Sequence, residues 1–81
     1  MASKSFHDFV LTYRGADWSD PKARFAEAAY EDSAFPKRSE NFDELSYYVE
    51  MQADEYMTTA AFDELWTLYT EKYSLGNDDL W

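Results

Sequence analysis

The chain contains no cysteine, and its 81 residues include only two glycines, two prolines and one histidine. Without cysteine there is no disulfide and no thiolate metal site, which fits a cytoplasmic protein. The two isolated glycines, Gly15 and Gly76, cannot form a loop that cradles a phosphate. The one histidine, His7, lies beside Asp8 in a helical segment, where adjacent side chains point in different directions. We therefore expect His7 to face solvent and not to act as a catalytic base.

Long apolar runs are also missing, since no stretch approaches the roughly 20 apolar residues that a transmembrane helix needs. The N-terminus has no apolar block of the kind found in signal peptides. Hydrophobic residues still make up 46% of the chain, with 6 Phe, 7 Tyr and 3 Trp, which is enough for a small core. We expect a cytoplasmic monomer that binds no membrane, with one helical domain over residues 1–75 and an acidic tail over residues 76–81.

Positive charge is scarce, with 7 Lys and Arg residues against 17 Asp and Glu residues. Six of the seven cations lie in residues 1–38, where they balance six acidic residues, and Lys72 is the only cation among eleven acidic residues in the second half. The net charge of −10 repels phosphate backbones and anionic membranes at long range. Its simplest interpretation is that acidity keeps a small aromatic-rich protein soluble.

Apolar residues recur with helical spacing in four segments, and no segment shows the sustained alternation of a strand. In the first segment Ser5 is placed as an N-cap and Gly15 as a left-handed terminator. The second begins at Asp20, followed by a proline in the first turn, and runs to about residue 32. Its alanine-rich middle predicts a close contact between helices, and Pro36 prevents its continuation.

The third helix is expected to begin near Asn41 and to fade around residues 51–53, with residues 54–56 as a connector. The fourth is the longest, is capped by Thr58 or Thr59, and ends at about Gly76. Leu80 and Trp81 could fold back on the core. These segments predict an all-α protein built as a compact four-helix bundle, or five helices if a short turn is counted.

Several short sequence blocks occur in a fixed order over about residues 5–71. In the first half the blocks are Ser5-Phe6, Leu11-Thr12-Tyr13-Arg14-Gly15, Phe25-Ala26, Ala29-Tyr30-Glu31-Asp32 and Phe35-Pro36-Lys37. In the second half they are Leu45-Ser46 with Tyr48 and Glu50, and Phe62-Asp63-Glu64 with Trp66 and Tyr69. Together they resemble the YozE-like family of small bacterial proteins. The resemblance implies a fold similar to the sterile-alpha-motif (SAM) bundles, and it implies no catalytic residues because the family is uncharacterised.

The sequence departs from the pattern of that family at His7, at Asp17-Trp18 and in the tail after Tyr73. His7 stands where an aromatic residue is common, and Asp17-Trp18 replaces a more basic turn that contains proline. The fold alone does not choose a function, because SAM-like bundles serve as protein-interaction modules in some proteins and bind nucleic acid in others.

Acidic residues are adjacent at several places along the chain. Four of these pairs are Asp43-Glu44, Asp54-Glu55, Asp63-Glu64 and Asp78-Asp79. Asp43 and Asp63 each follow an apolar aromatic residue, so we expect both pairs in first helical turns, where carboxylates stabilise the helix by about 0.3–1 kcal/mol each. Catalysis or metal binding would require carboxylates that converge in a cleft, or the spacing of a calcium loop. The sequence therefore predicts no enzyme, metal site or cofactor.

The remaining candidates are cations and aromatic residues that we expect to be exposed. Together they form the candidate interaction surface: Arg14, Trp18, Lys22, Arg24, Lys37, Arg38 and Tyr47. The loop that follows the second helix should insert Phe35 into the core and leave Lys37 and Arg38 pointing outward. These cations either form a basic patch that contacts phosphates or balance acidic neighbours such as Glu31, Asp32 and Glu40.

Two functions remain open at this level. Exposed aromatic residues such as Trp18 and Tyr47 are favoured at protein interfaces, which indicates a non-enzymatic module that binds a protein partner. The alternative is a weak nucleic-acid-binding protein that uses a local basic patch, although the net charge disfavours it.

Overall fold

Each helix begins after a residue whose side chain accepts a hydrogen bond from a backbone N–H of the first turn. The structure, a computed structural model, describes residues 5–73. Its helices are α1 (Phe6–Leu11), α2 (Pro21–Glu31), α3 (Phe42–Gln52) and α4 (Thr59–Lys72). The capping residues are Ser5, Asp20, Asn41 and Thr58. All four predicted starts are confirmed, and no strand occurs in residues 5–73, so the predicted all-α four-helix architecture is confirmed.

Two helices are followed by a residue with a left-handed backbone. Gly15 has φ +84° and ends the turns that follow α1, as its lack of a Cβ predicts. Ala53 has φ +48° at the C-cap of α3, a conformation that an L side chain rarely adopts. The expected end of α4 at Gly76 and the acidic tail, including Leu80 and Trp81, lie outside the described residues.

Phe6 of α1 lies at the centre of an aromatic core. Its ring centroid is 6.4 Å from that of Phe25, 5.3 Å from Phe62, 5.5 Å from Trp66 and 5.6 Å from Tyr69. Three of these contacts have the edge-to-face geometry that aromatic quadrupoles favour. A six-residue helix is thereby held between α2 and α4.

The alanines of α2 allow it to approach its neighbours closely. Ala23, Ala26 and Ala29 are buried on the face that meets α1 and α4. Phe35, from the loop after α2, is also buried, which confirms the prediction that it inserts into the core.

The prediction that His7 faces solvent is wrong, because only 5% of this residue is exposed. Its ring packs against Phe35 with 5.2 Å between centroids, and Nε2 has no hydrogen-bond partner among residues 5–73. Burial lowers the pKa of His7 below its ordinary value of 6.5, while the backbone of Ala29 and the charge of Asp8 act against that shift. His7 is therefore a neutral core residue.

The prediction that Asp63-Glu64 lies in a first helical turn is also wrong. Because α4 begins at Thr59, this pair lies in its second turn, where the Glu64 carboxylate instead meets the Lys22 ammonium at 3.5 Å. Asp43-Glu44 does lie in the first turn of α3, as expected.

Candidate interaction surface

Two exposed aromatic residues from separate loops meet at the surface. Trp18 lies in the loop between α1 and α2 and is 50% exposed, and Tyr56 lies in the connector between α3 and α4 and is 38% exposed. Their ring centroids are 5.3 Å apart with an angle of 72° between the ring planes. Tertiary structure therefore pairs two aromatic residues that are distant in sequence and leaves both in contact with water.

The loop that carries Trp18 is fixed by hydrogen bonds. The carbonyl oxygen of Trp18 accepts a hydrogen bond from Nη1 of Arg24 at 2.6 Å. Next to it, Oδ1 of Asp17 accepts from the backbone N–H of Ser19 at 2.9 Å, a local bond typical of an Asx turn. These bonds hold the loop, so the exposure of Trp18 does not depend on a loose segment.

The connector that carries Tyr56 is fixed in a similar way. Oδ1 of Asp54 accepts hydrogen bonds from the backbone N–H groups of Tyr56, at 2.7 Å, and of Met57, at 3.1 Å. Met57 is buried in the core directly after Tyr56, so it anchors the connector on its inner side. Hydrogen bonds within the chain thus fix both loops that carry the aromatic pair.

An open cleft of about 440 Å³ lies beside the aromatic pair. Besides Trp18 and Tyr56 it is lined by residues of α2, of the end of α3 and of the connector: Glu27, Ala28, Glu31, Asp32, Gln52 and Asp54. Four of these carry carboxylates and none carries a positive charge. We refer to these eight residues as the acidic aromatic cleft.

The carboxylates of the cleft differ in the contacts that they make. Oε1 of Glu27 accepts from Nε of Arg14 at 3.2 Å, and this is the one ion pair that a cleft carboxylate makes within the described residues. Oδ2 of Asp32 accepts a hydrogen bond of 2.5 Å from the Tyr48 hydroxyl. Burial, together with this contact to Asp32, raises the pKa of Tyr48 to about 12, so the hydroxyl stays a neutral donor at physiological pH.

The predicted cations are for the most part already engaged. Besides its ion pair, the guanidinium of Arg14 lies over the Tyr30 ring at 3.5 Å from the centroid. Nζ of Lys22 pairs with Asp20 at 3.2 Å and with Glu64 at 3.5 Å. Acidic residues of the same chain therefore engage Arg14 and Lys22, whereas the sequence had indicated such pairing for Lys37 and Arg38.

The loop after α2 holds the other two cations of the candidate interaction surface. Nζ of Lys37 donates to the carbonyl oxygen of Ser33 at 3.0 Å, and Arg38 is exposed. Neither makes an ion pair within residues 5–73, so the expected pairing with Glu31, Asp32 or Glu40 is not made there.

Tyr47 is 65% exposed on α3, as predicted, but it does not line the cleft. Of the eight cleft residues the sequence had indicated only Trp18 as a site residue, so it missed Tyr56, Gln52, Ala28 and all four carboxylates. The available signal for Tyr56 was an aromatic residue within the acidic connector Asp54-Glu55-Tyr56, between two helices.

Two further findings concern residues 5–73 only. None of their helices has the length and apolar character required to cross a membrane. In the same part of the chain no three His, Cys, Asp or Glu side chains come together in a way that could hold a metal ion.

Comparisons with known proteins agree with this fold. The family model described as the YozE SAM-like fold matches residues 5–71. The UPF0346 protein YozE of Bacillus subtilis is 46% identical over 66 residues, which cover 82% of this chain and 89% of that protein. The UPF0346 protein of Oenococcus oeni is 44% identical over 66 residues, covering 82% and 87%. No solved structure matches the chain significantly. This chain therefore belongs to the YozE SAM-like family, whose function is uncharacterised.

Proposed function

We propose that this protein is a non-enzymatic interaction module that binds a protein partner at the acidic aromatic cleft. The observation that carries the proposal is the pair of exposed rings, Trp18 and Tyr56, which two separately fixed loops hold beside an open cleft. Aromatic residues of this kind dominate binding energy at protein interfaces when a partner desolvates them. Because the loops are already ordered, binding does not have to supply the free energy for ordering them.

The chemistry of the side chains supports binding and offers little for catalysis. Nε2 of the buried His7 has no hydrogen-bond partner within residues 5–73, so no nucleophile there is paired with that nitrogen as with a catalytic base. The carboxyl of Asp54 is used by the backbone of its own turn, and that of Asp32 accepts from Tyr48 and from the N–H of Ala34. These two carboxylates thus stabilise the fold, and the cleft that they line offers a surface for contact with a partner.

The test is affinity capture from cells that naturally produce the protein, with three baits compared. The baits are the natural chain, a double variant Trp18→Ala with Tyr56→Ala, and Tyr47→Ala as a control for loss of an exposed ring elsewhere. We expect a partner on the natural and Tyr47→Ala baits that is lost from the double variant. The captured protein is then purified and its affinity for all three baits is measured by calorimetry.

Two results would contradict the proposal. One is the absence of any partner that survives purification and direct measurement. The other is a partner that binds outside the cleft. Such a partner would bind the double variant as well as the natural chain, or it would be lost with Tyr47→Ala alone, which would place the binding surface on α3. Circular dichroism of each bait confirms that the comparison is between folded proteins.

Nucleic-acid binding has less support as a function of this chain. Arg14 and Lys22 already pair with carboxylates, and the side chains of Arg24 and Lys37 donate to backbone carbonyl oxygens. A phosphate backbone would have to displace these contacts and approach a chain with a net charge of −10.

A further inference from the structure

We propose that the acidic aromatic cleft receives a lysine or arginine side chain from a basic segment of the partner protein. This inference rests on the proposed function, because it names the chemistry of the partner for the same cleft. The cleft combines carboxylates without cations and exposed aromatic rings, and each of these features independently favours a cationic side chain.

The charge of the cleft is the first argument. Of its four carboxylates only Glu27 has a cation partner within residues 5–73, so Glu31, Asp32 and Asp54 concentrate negative charge around one opening. Carboxylates that line the same opening repel one another, and a cation placed in the opening is attracted by each of them. An anionic or carboxylate-rich segment would add to the repulsion. The cleft therefore discriminates between partners by the sign of their charge.

The aromatic pair is the second argument, and it is independent of the charges. Trp is the ring that attracts a cation most strongly through its π face, and Trp18 is half exposed at this site. An ammonium or guanidinium beside Trp18 and Tyr56 would gain this attraction together with that of the carboxylates. A purely acidic surface would attract any cation, whereas rings also select one carried on an apolar stem.

The chain itself contains the same combination a short distance away. The Arg14 guanidinium pairs with the Glu27 carboxylate at 3.2 Å and lies over the Tyr30 ring at 3.5 Å from its centroid. Glu27 is also a residue of the cleft. One cationic side chain of this protein thus already binds a carboxylate and an aromatic face at once. The cleft carboxylates without an ion pair in residues 5–73, together with the exposed rings, offer a partner the same kind of contacts.

The size of the cleft sets the form of the ligand. A volume of about 440 Å³ lies near the lower end of the range for small-ligand pockets. It accommodates one long side chain with its neighbours and is too small for a helix. We therefore expect an extended basic segment that inserts one Lys or Arg and lays its flanking residues on the rim.

Peptide titrations monitored by NMR test this inference directly. The probes are end-blocked hexapeptides in which serine alternates with arginine or with lysine. Neutral counterparts carry citrulline in place of arginine and norleucine in place of lysine. We expect saturable shifts at the indole N–H of Trp18 and at the backbone N–H groups of Gln52 and Tyr56. Replacement of arginine by citrulline should weaken binding by about tenfold or more.

Two double variants separate the cleft from the net charge of the molecule. Glu31→Gln with Asp54→Asn removes two charges from the cleft, and Asn retains the Oδ1 acceptor that holds the connector. Glu50→Gln with Asp63→Asn removes two charges from exposed helix positions outside the cleft. We expect the cleft variant to bind the arginine peptide about tenfold more weakly and the control to stay within about twofold of the natural chain.

Three results of the peptide titrations would overturn the inference. They are equal binding of the citrulline peptide, equal weakening by both double variants, and peptide shifts spread over the acidic surface away from Trp18. Spermidine is titrated as well, and saturation at the cleft by spermidine without peptide binding would also overturn it, because the ligand would then be a small polyamine. If a captured partner depends on Trp18 and Tyr56 while the basic peptides fail to bind, the proposed function stands and this inference alone is wrong.

Discussion

His7 is a titratable residue that is buried against an aromatic ring of the core. The ring packs on Phe35, its Nε2 lacks a partner within the described residues, and burial lowers its pKa. In the neutral form it behaves as one more apolar ring. In the charged form it would bring a cation without an ion pair into that environment, where the charges of Lys37 and Asp8 act on it in opposite directions.

We predict that this residue makes the protein less stable in mild acid. The folded pKa of His7 lies below the unfolded value of about 6.5, so between these two values the unfolded chain binds more protons. The free energy of unfolding therefore falls as the pH drops below about 6.5. His7→Phe removes this contribution and keeps an aromatic ring to pack against Phe35.

Urea unfolding at a series of pH values from about 7.5 to 5 measures the effect. The carboxylates titrate in both proteins, so the difference between the natural chain and His7→Phe isolates the histidine. We expect this difference to grow steadily in favour of His7→Phe as the pH falls. Parallel curves would show that His7 is free to become protonated in the folded state.

The burial of His7 could not be predicted from its sequence neighbours. Phe6 and Phe9 identify the core face of α1, and a residue next to Phe6 falls outside a narrow apolar stripe. The ring that covers His7 is Phe35, which belongs to the loop after α2. Local periodicity describes one helix at a time and does not show which loop packs over its other side.

At the level of elements, the helix starts follow from local chemistry and the sequence predicts them well. The side chains of Ser5, Asp20, Asn41 and Thr58 each satisfy a backbone N–H within the next three residues, so the signal and its structural cause lie in the same short segment. The placement of Asp63-Glu64 failed because it required the exact register of α4. The end of α3 differs from the usual pattern, because the left-handed position there is occupied by Ala53, which lacks the conformational freedom of glycine.

We predict that Ala53→Gly stabilises the protein by about 0.5–1 kcal/mol. The left-handed conformation costs an L residue about 1–2 kcal/mol, and glycine avoids that cost but loses part of the gain through the greater entropy of its unfolded chain. Ala60→Gly, at an exposed position in α4, is the matched control and should destabilise by up to about 0.5–1 kcal/mol. Chemical denaturation of both variants measures the two values. A loss of stability in both would contradict the left-handed assignment at Ala53.

At the level of the whole molecule, the candidate site is a product of tertiary structure. Trp18 and the charged residues of α2 are visible in the sequence, but the cleft exists because Tyr56 and Asp54 from the far end of α3 are brought against them. No local pattern specifies that meeting. The sequence accordingly predicted that Trp18 is exposed, and it did not predict its aromatic partner or the acidic character of the surface around it.

The distribution of charge over the whole molecule leads to the last prediction, which concerns nucleic acid. Binding to DNA or RNA requires cations that release counterions from phosphates, and the affinity then falls steeply between about 50 and 200 mM salt. Here seven cations face seventeen acidic residues, and Arg14 and Lys22 are held in ion pairs. We expect no salt-sensitive binding to double-stranded DNA or single-stranded RNA, measured by fluorescence anisotropy at low and high salt.

A double variant of the loop after α2 tests whether any nucleic-acid binding depends on the exposed cations of that loop. Lys37→Ala with Arg38→Ala removes the two cations of the loop after α2, neither of which makes an ion pair within residues 5–73, and leaves the cleft unchanged. Salt-sensitive binding by the natural chain that this variant loses would establish a basic phosphate site on the loop after α2. Equal, negligible anisotropy changes for both proteins are expected instead, because the long-range field of the molecule repels phosphates before two exposed side chains can make contact.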